Sequence, residues 1–128
     1  MRYFDKLTQP MFYVLLSLYE KRHGYEIMNF IKELTDERVV VGPGTLYNLL
    51  GRFLDAGYID IVTEKDNKKI YIINDNGKKL LKREIERLNQ LIKDANNIIK
   101  GGGMMKGYDF KDDENIKKVK EKLKLNKR

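Results

Sequence analysis

Residues 42–59, "GPGTLYNLLGRFLDAGYI", bring together spaced glycines, a proline, the hydroxyls of Thr45 and Tyr47, and Asn48 four positions ahead of Arg52. Glycines ahead of a periodic apolar run place helix N-terminal N–H groups, and the positive end of the helix dipole, within reach of an anion. Two chemistries use that arrangement. One is a loop cradling the phosphates of a nucleotide; the other is a helix start meeting the phosphates of a DNA backbone. The first makes an enzyme, the second a regulator.

The nucleotide reading is the weaker. A P-loop runs G-x-x-x-x-G-K-[ST], and a dinucleotide fold needs G-x-G-x-x-G after a strand, with an acidic residue about 20 positions on. "GPGTLYN" has neither ending. No lysine lies in the first turn, and Gly51 is too far along the helix to touch the same ligand. The β-rich segments that follow form a hairpin, not a parallel βαβ unit.

The DNA reading fits better. With positions placed roughly 100° apart, Leu46, Leu49, Leu50, Phe53 and Leu54 share one face. The opposite face holds Gly44, Asn48, Gly51, Arg52 and Asp55, with Thr45 and Tyr47 at its borders. Small residues beside Asn and Arg suit close approach to a major groove, where Asn pairs with adenine and Arg with guanine or a phosphate. Tyr47 is readable either as a phosphate donor or as a half-buried core tyrosine. Asp55 would repel a backbone and belongs near the exit of the groove. Lys65, Lys68 and Lys69 crowd the following hairpin tip, as a phosphate-contacting wing requires.

The elements that must hold these residues follow from the pattern. "TQPMFYVLLSLYE" starts with Thr8 as N-cap and Pro10 in the first turn, and is apolar almost all round; "KRHG" ends it. "YEIMNFIKELT" gives a second, amphipathic helix. "RVVVG" reads as a short strand. The helix of residues 42–57 comes next, with Gly57 at its left-handed C-terminal cap. "YIDIVTE" and "KKIYIIN" form a hairpin around "KDN". Asn74 then caps a long helix over residues 75–100. Along it Leu81, Ile85, Leu88, Ile92, Ala95 and Ile99 recur in steps of four and three, a heptad seam thickened by Leu91 and Ile98. "GGGMMKG" breaks the pattern as a flexible link, and the lysine-dense tail reads as solvated.

Composition narrows the classes. The chain has 128 residues, a net charge of +7, and no Cys or Trp. The charge points to a polyanionic partner, nucleic acid first. Without cysteine there are no disulfides, thiolate metal sites or cysteine nucleophiles. His23 is the single histidine, which excludes a multi-histidine metal site and makes a helix junction its natural role. Residues 11–19 are too short an apolar run to cross a bilayer and lack the flanks of a signal peptide. A cytoplasmic protein with no membrane partner, no metal and no cofactor is expected.

Three blocks together resemble the PadR family of winged-helix transcriptional regulators. "HGYEI" (residues 23–27) is similar to the family's Gly-Tyr-Glu helix start. "GPGTLYNLLGRFLDAGYI" resembles its Pro-Gly-Thr-Leu-Tyr recognition helix and following turn. "KKIYIINDNGKKLL" (residues 68–81) resembles its wing strand entering the C-terminal helix. The resemblance spans residues 11–82 in order. It implies a homodimer joined through the long helix and the N-terminal helix carrying Phe12, bound to a palindromic operator, usually to repress. It also implies that Tyr25, Thr45 and Tyr47 hold the DNA backbone. Two departures stand out: Asn74 replaces the family's usual Thr, and the missing tryptophan removes the stacking platform some members use for aromatic drugs. A small-molecule effector of unknown identity stays open as a partner, although core packing accounts better for Tyr3, Phe4 and Phe12.

The expected fold is mainly α (α+β): a winged helix-turn-helix DNA-binding domain over residues 1–74, a long C-terminal dimerisation helix over 75–100, and a Gly-rich link with basic tail over 101–128. The expected function is sequence-specific binding of double-stranded DNA as a homodimer, without catalysis. The competing reading is a winged helix serving only as a protein-interaction module.

Overall fold

The computed structural model of the chain describes residues 6–101. Their order is α1 (Gln9–Ser17), α2 (Gly24–Leu34), α3 (Pro43–Ala56), β1 (Ile59–Lys65), β2 (Lys68–Ile73) and α4 (Asp75–Gly101). This is the winged helix-turn-helix order, mainly helical with one two-stranded antiparallel sheet. Contacts divide the chain into two units, residues 1–84 and 85–128.

In the first unit, each helix starts where local chemistry satisfies its free N–H groups. Thr8 Oγ1 accepts from the Met11 N–H at 3.4 Å, and Pro10 occupies the first turn. His23 caps α2, and Gly42 precedes α3 with Pro43 at its first position. Gly57 closes α3 with φ 81°, a left-handed conformation that glycine adopts without penalty. The apolar faces meet in one core: Leu15 and Leu18, Ile27 and Ile31, Leu46, Leu50 and Phe53, with Ile59, Ile73 and Leu81. All five expected core positions of α3 point inward, Leu54 only partly.

Two expectations about the first unit's elements are corrected. Helix α1 stops at Ser17, before "KRHG". Ser17 Oγ donates to the Val14 carbonyl at 2.7 Å, and the Leu18 carbonyl is claimed by the Ile73 N–H at 2.8 Å. The chain there belongs to the wing. Second, "RVVVG" forms no strand. Asp36 and Glu37 take positive φ angles of 50° and 62°, and the buried Thr35 hydroxyl accepts from the Val39 N–H at 3.1 Å. A side chain therefore satisfies this backbone where a strand would need a partner. Val39 and Val41 reach the core from a loop.

The strand that does extend the wing is a single residue. Arg22 and Tyr71 form an antiparallel bridge, with Arg22 N–H donating to the Tyr71 carbonyl at 3.1 Å and Tyr71 N–H returning the bond at 2.9 Å. The Arg22 side chain donates to the Ser17 carbonyl and lies over the Phe30 ring, 4.1 Å from its centroid. The wing base is thus tied to the junction of α1 and α2. At its tip, Asp66 and Asn67 have φ 54° and 62°, the backbone of a two-residue hairpin turn.

Asn74 links the end of α3 to the start of α4. Its Oδ1 accepts from the Gly77 N–H at 3.0 Å, and its Nδ2 donates to the Gly57 carbonyl at 3.0 Å. Gly77 is packed so closely that a Cβ would strike the Tyr58 carbonyl oxygen and lie 2.6 Å from Ile73 Cγ1. Backbone cannot swing aside. Gly77→Ala is therefore expected to destabilise the domain by about 1–3 kcal/mol, although alanine is the better helix former by about 1 kcal/mol. Chemical denaturation should show the lowered midpoint.

In the second unit, α4 continues with Ile85, Leu91, Ile92, Ala95 and Ile98 exposed and Leu88 and Ile99 half-buried. Leu81, read from the sequence as the head of the seam, lies in the core of the first unit at 1% exposure. The accessible stripe starts at Ile85.

Candidate nucleic-acid interface

The polar face of α3 lies open. Gly44, Thr45, Tyr47, Asn48, Gly51, Arg52 and Asp55 are all exposed, while Leu46, Leu49, Leu50 and Phe53 are buried beneath them. Burial of one helix face fixes the rotation of the other, so Asn48 and Arg52 stand one turn apart on the same outward stripe. Gly42, Gly44 and Gly51 have no neighbour within 4 Å of where a Cβ would sit. Space around them is free for a ligand surface.

Beside that stripe is a cleft of about 430 Å³ lined by His23, Gly24, Tyr25, Tyr47, Asn67, Lys68, Lys69 and Tyr71. Three elements meet there: the N-terminus of α2, the first turns of α3, and the wing tip. The structure therefore brings Tyr25, Tyr47, Lys68 and Lys69 together. Thr45, Asn48 and Arg52 lie along α3 outside this lining, and Lys65 lies at the end of β1 outside it. Phe12 is half-buried on α1, its ring meeting Tyr13 edge to face at 5.7 Å between centroids.

Among the described residues that line the cleft none is a carboxylate, and Glu26 Oε1 lies 3.5 Å from Nε2 of the lining His23. The lining groups are phenols, an imidazole, an amide and two ammonium groups. Tyr25 is 66% and Tyr47 54% exposed, so both hydroxyls can meet a ligand without the core opening. Burial pushes the Tyr71 phenol above its ordinary value, and Tyr47 and Glu64 push it further in the same direction. As a phenol, Tyr71 is a hydrogen-bond donor. Such a set of donors and cations at a helix N-terminus matches a phosphate diester.

His23, Asn67 and Tyr71 are lining residues that sequence reasoning did not place here. His23 does act at a helix junction. Its Nδ1 accepts from the Glu26 N–H at 3.4 Å while Glu26 Oε1 accepts from the His23 N–H at 3.0 Å. That is a capping box with histidine in the place of serine or threonine. Its signal was legible: glutamate three residues after a polar residue at a helix start. Tyr71 gave none, because on an alternating strand it reads as one more core position.

Among the described residues no group of three His, Asp or Glu side chains could hold a metal ion. No described helix is long and apolar enough to cross a membrane. Tyr3 and Phe4, weighed for an effector pocket, and the basic tail lie outside the described residues.

Comparison with known proteins agrees with the fold. The sequence model of the transcriptional regulator PadR-like family matches residues 13–83, a span that runs from α1 through the wing into α4. Among solved structures, a transcriptional regulator from Clostridium thermocellum is 28% identical, covering 70% of this chain and 91% of that one, with a TM-score of 0.60. TA0346 from Thermoplasma acidophilum is 25% identical over 71% of this chain and 89% of its own, with a TM-score of 0.52. RosR of H. salinarum, 20% identical over 71% and 94%, shares the fold with a TM-score of 0.55. No curated protein matches the chain.

Proposed function

This chain belongs to the PadR-like family of transcriptional regulators, and from that premise we propose that it acts as a homodimeric repressor on a palindromic operator. In this reading Asn48 and Arg52 read bases in the major groove. Thr45, Tyr25 and Tyr47 hold the backbone beside the recognition helix, and Lys65, Lys68 and Lys69 contact phosphates from the wing. Residues 1–74 form the DNA-binding part and residues 75–100 the dimerisation helix, paired through Ile85, Leu88, Ile92, Ala95 and Ile99 with help from Phe12. The protein works in the cytoplasm by occupying DNA, without catalysing a reaction.

The observation that carries it is the adjacency of two features. The cleft lined by phenols, an imidazole, an amide and two lysines opens next to an exposed Asn48–Arg52 stripe. One suits phosphates and the other base edges. Two such stripes in a dimer would address half-sites about 34 Å apart.

Selection of bound sequences from a random duplex pool tests this directly. A palindrome with half-sites one helical turn apart is the expected product. Recovery of no preferred sequence, with weak binding to all duplexes, would instead favour the protein-interaction reading.

Removing cations and base readers should act differently. Lys68→Ala with Lys69→Ala is expected to weaken binding to every sequence alike and to lower the slope of log affinity against log salt by about two. Arg52→Ala is expected to cost about 1–3 kcal/mol on the selected operator and to relax preference at one base position. Anisotropy titrations at several salt concentrations separate the two signatures.

A further inference from the structure

We infer that Gly24 is a positioning residue for DNA contact, acting through Tyr47: by lacking a side chain it fixes where the Tyr47 hydroxyl lies in the cleft. The inference rests on the DNA-binding reading of that cleft. Gly24 is buried at the first position of α2, directly after the His23 cap. Its backbone needs no glycine, because its φ lies outside the left-handed range. Helix propensity also disfavours glycine there. Space is what requires it. A Cβ on Gly24 would fall 2.8 Å from Tyr47 Cζ and 3.2 Å from Cε1, and closer still to the hydroxyl oxygen. Tyr47 Oη therefore rests against the bare Cα of Gly24, across the start of α2.

The obstructing atoms decide what a methyl group would do. They are the far end of a side chain that is 54% exposed. That end can swing towards solvent by side-chain rotation without moving either helix. At Gly77 the obstructing atom is backbone oxygen, and no such escape exists. A methyl at Gly24 thus leaves the fold intact and moves the phenol out of the cleft it shares with His23, Tyr25, Lys68 and Tyr71. Gly24 and Tyr47, 23 positions apart in sequence, behave as one unit.

The experiment is a double-variant cycle on the full chain with the selected operator: wild type, Gly24→Ala, Tyr47→Ala and both together. Gly24→Ala is expected to lose about ten-fold or more in affinity, close to the loss in Tyr47→Ala, as for one hydrogen bond to a charged acceptor. The double variant should bind no more weakly than Tyr47→Ala alone. The salt slope should not change, because no cation is removed. Independent losses that multiply in the double variant, or unchanged binding by Gly24→Ala, would overturn the inference.

A second readout needs no DNA. With carbon-labelled tyrosine, the ring resonances of Tyr47 should shift in Gly24→Ala and lose their contact to residue 24, while the thermal midpoint stays within a few degrees. An unshifted Tyr47 ring, or an unfolded Gly24→Ala, overturns the inference even if the wild type proves not to bind duplex. Failure of the wild type to bind, with the Tyr47 ring shifted as expected, sinks the DNA-binding reading and with it the DNA-contact role of Gly24, and leaves standing only that Gly24 fixes the place of the Tyr47 phenol.

Discussion

Ile92→Asp is expected to dissociate the proposed homodimer and to lower operator affinity by about 10²–10⁴-fold, the gain that linking two sites supplies through effective concentration. Ile92 sits in the middle of the accessible stripe of α4 and is 54% exposed. With Ile85, Leu91 and Ile98 it forms an apolar strip along a helix of 27 residues. A strip of this length on a soluble helix is stable only when another apolar surface covers it. A carboxylate placed there would be buried without a partner in the dimer and solvated in the monomer, so the equilibrium moves to the monomer. The winged unit does not depend on Ile92 for its core, and its melting should persist. Light scattering reads the mass and anisotropy reads the binding. A dimer that survives the substitution would place the interface elsewhere.

Phe53→Ala should have the largest effect on stability, about 3–5 kcal/mol. Phe53 is the largest of the fully buried side chains and is 0% exposed. It anchors α3 from the inside, one position after the outward-facing Arg52. Small domains retain only about 5–15 kcal/mol in total, so this one change removes a large share. The midpoint of thermal unfolding should fall on the order of 10–30 °C, and DNA binding should disappear with the folded population. Arg52→Ala, its exposed neighbour, should move the midpoint far less. If Phe53→Ala melted like the wild type, α3 would not be seated as described.

How much of this was legible depended on whether a residue's role repeats. The five apolar positions of α3 recur at helical spacing, so the buried face, and with it the outward Asn48 and Arg52, could be placed from the sequence. The same holds for the wing, whose two β-rich runs bracket a turn, and for the long helix with its capping Asn74. Roles set by a single contact between distant parts of the chain were not legible. The bridge between Arg22 and Tyr71 is a single pair of backbone bonds and has no period. "RVVVG" has the composition of a strand, but the Thr35 hydroxyl holds it as a loop, and composition does not show where a hydroxyl will point. Leu81 shares the spacing of the seam, yet the core reaches it first. Tyr71 alternates like a core residue, and only the meeting of three elements puts its phenol into the cleft.

The bridge at the wing base has a consequence for how this scaffold can be altered. Backbone bonds from Arg22 and Leu18 secure β2 at Tyr71 and Ile73, while every residue of β1 after Ile59 is exposed and the turn at Asp66 and Asn67 stands free of the core. The hairpin is thus a ruler fixed at one end. Adding or removing residues in steps of two per strand preserves which side chains face which way and moves the lysine-bearing tip relative to α3. In the proposed mode of binding, the span of DNA within reach of the tip then changes without any change to the core that holds α3.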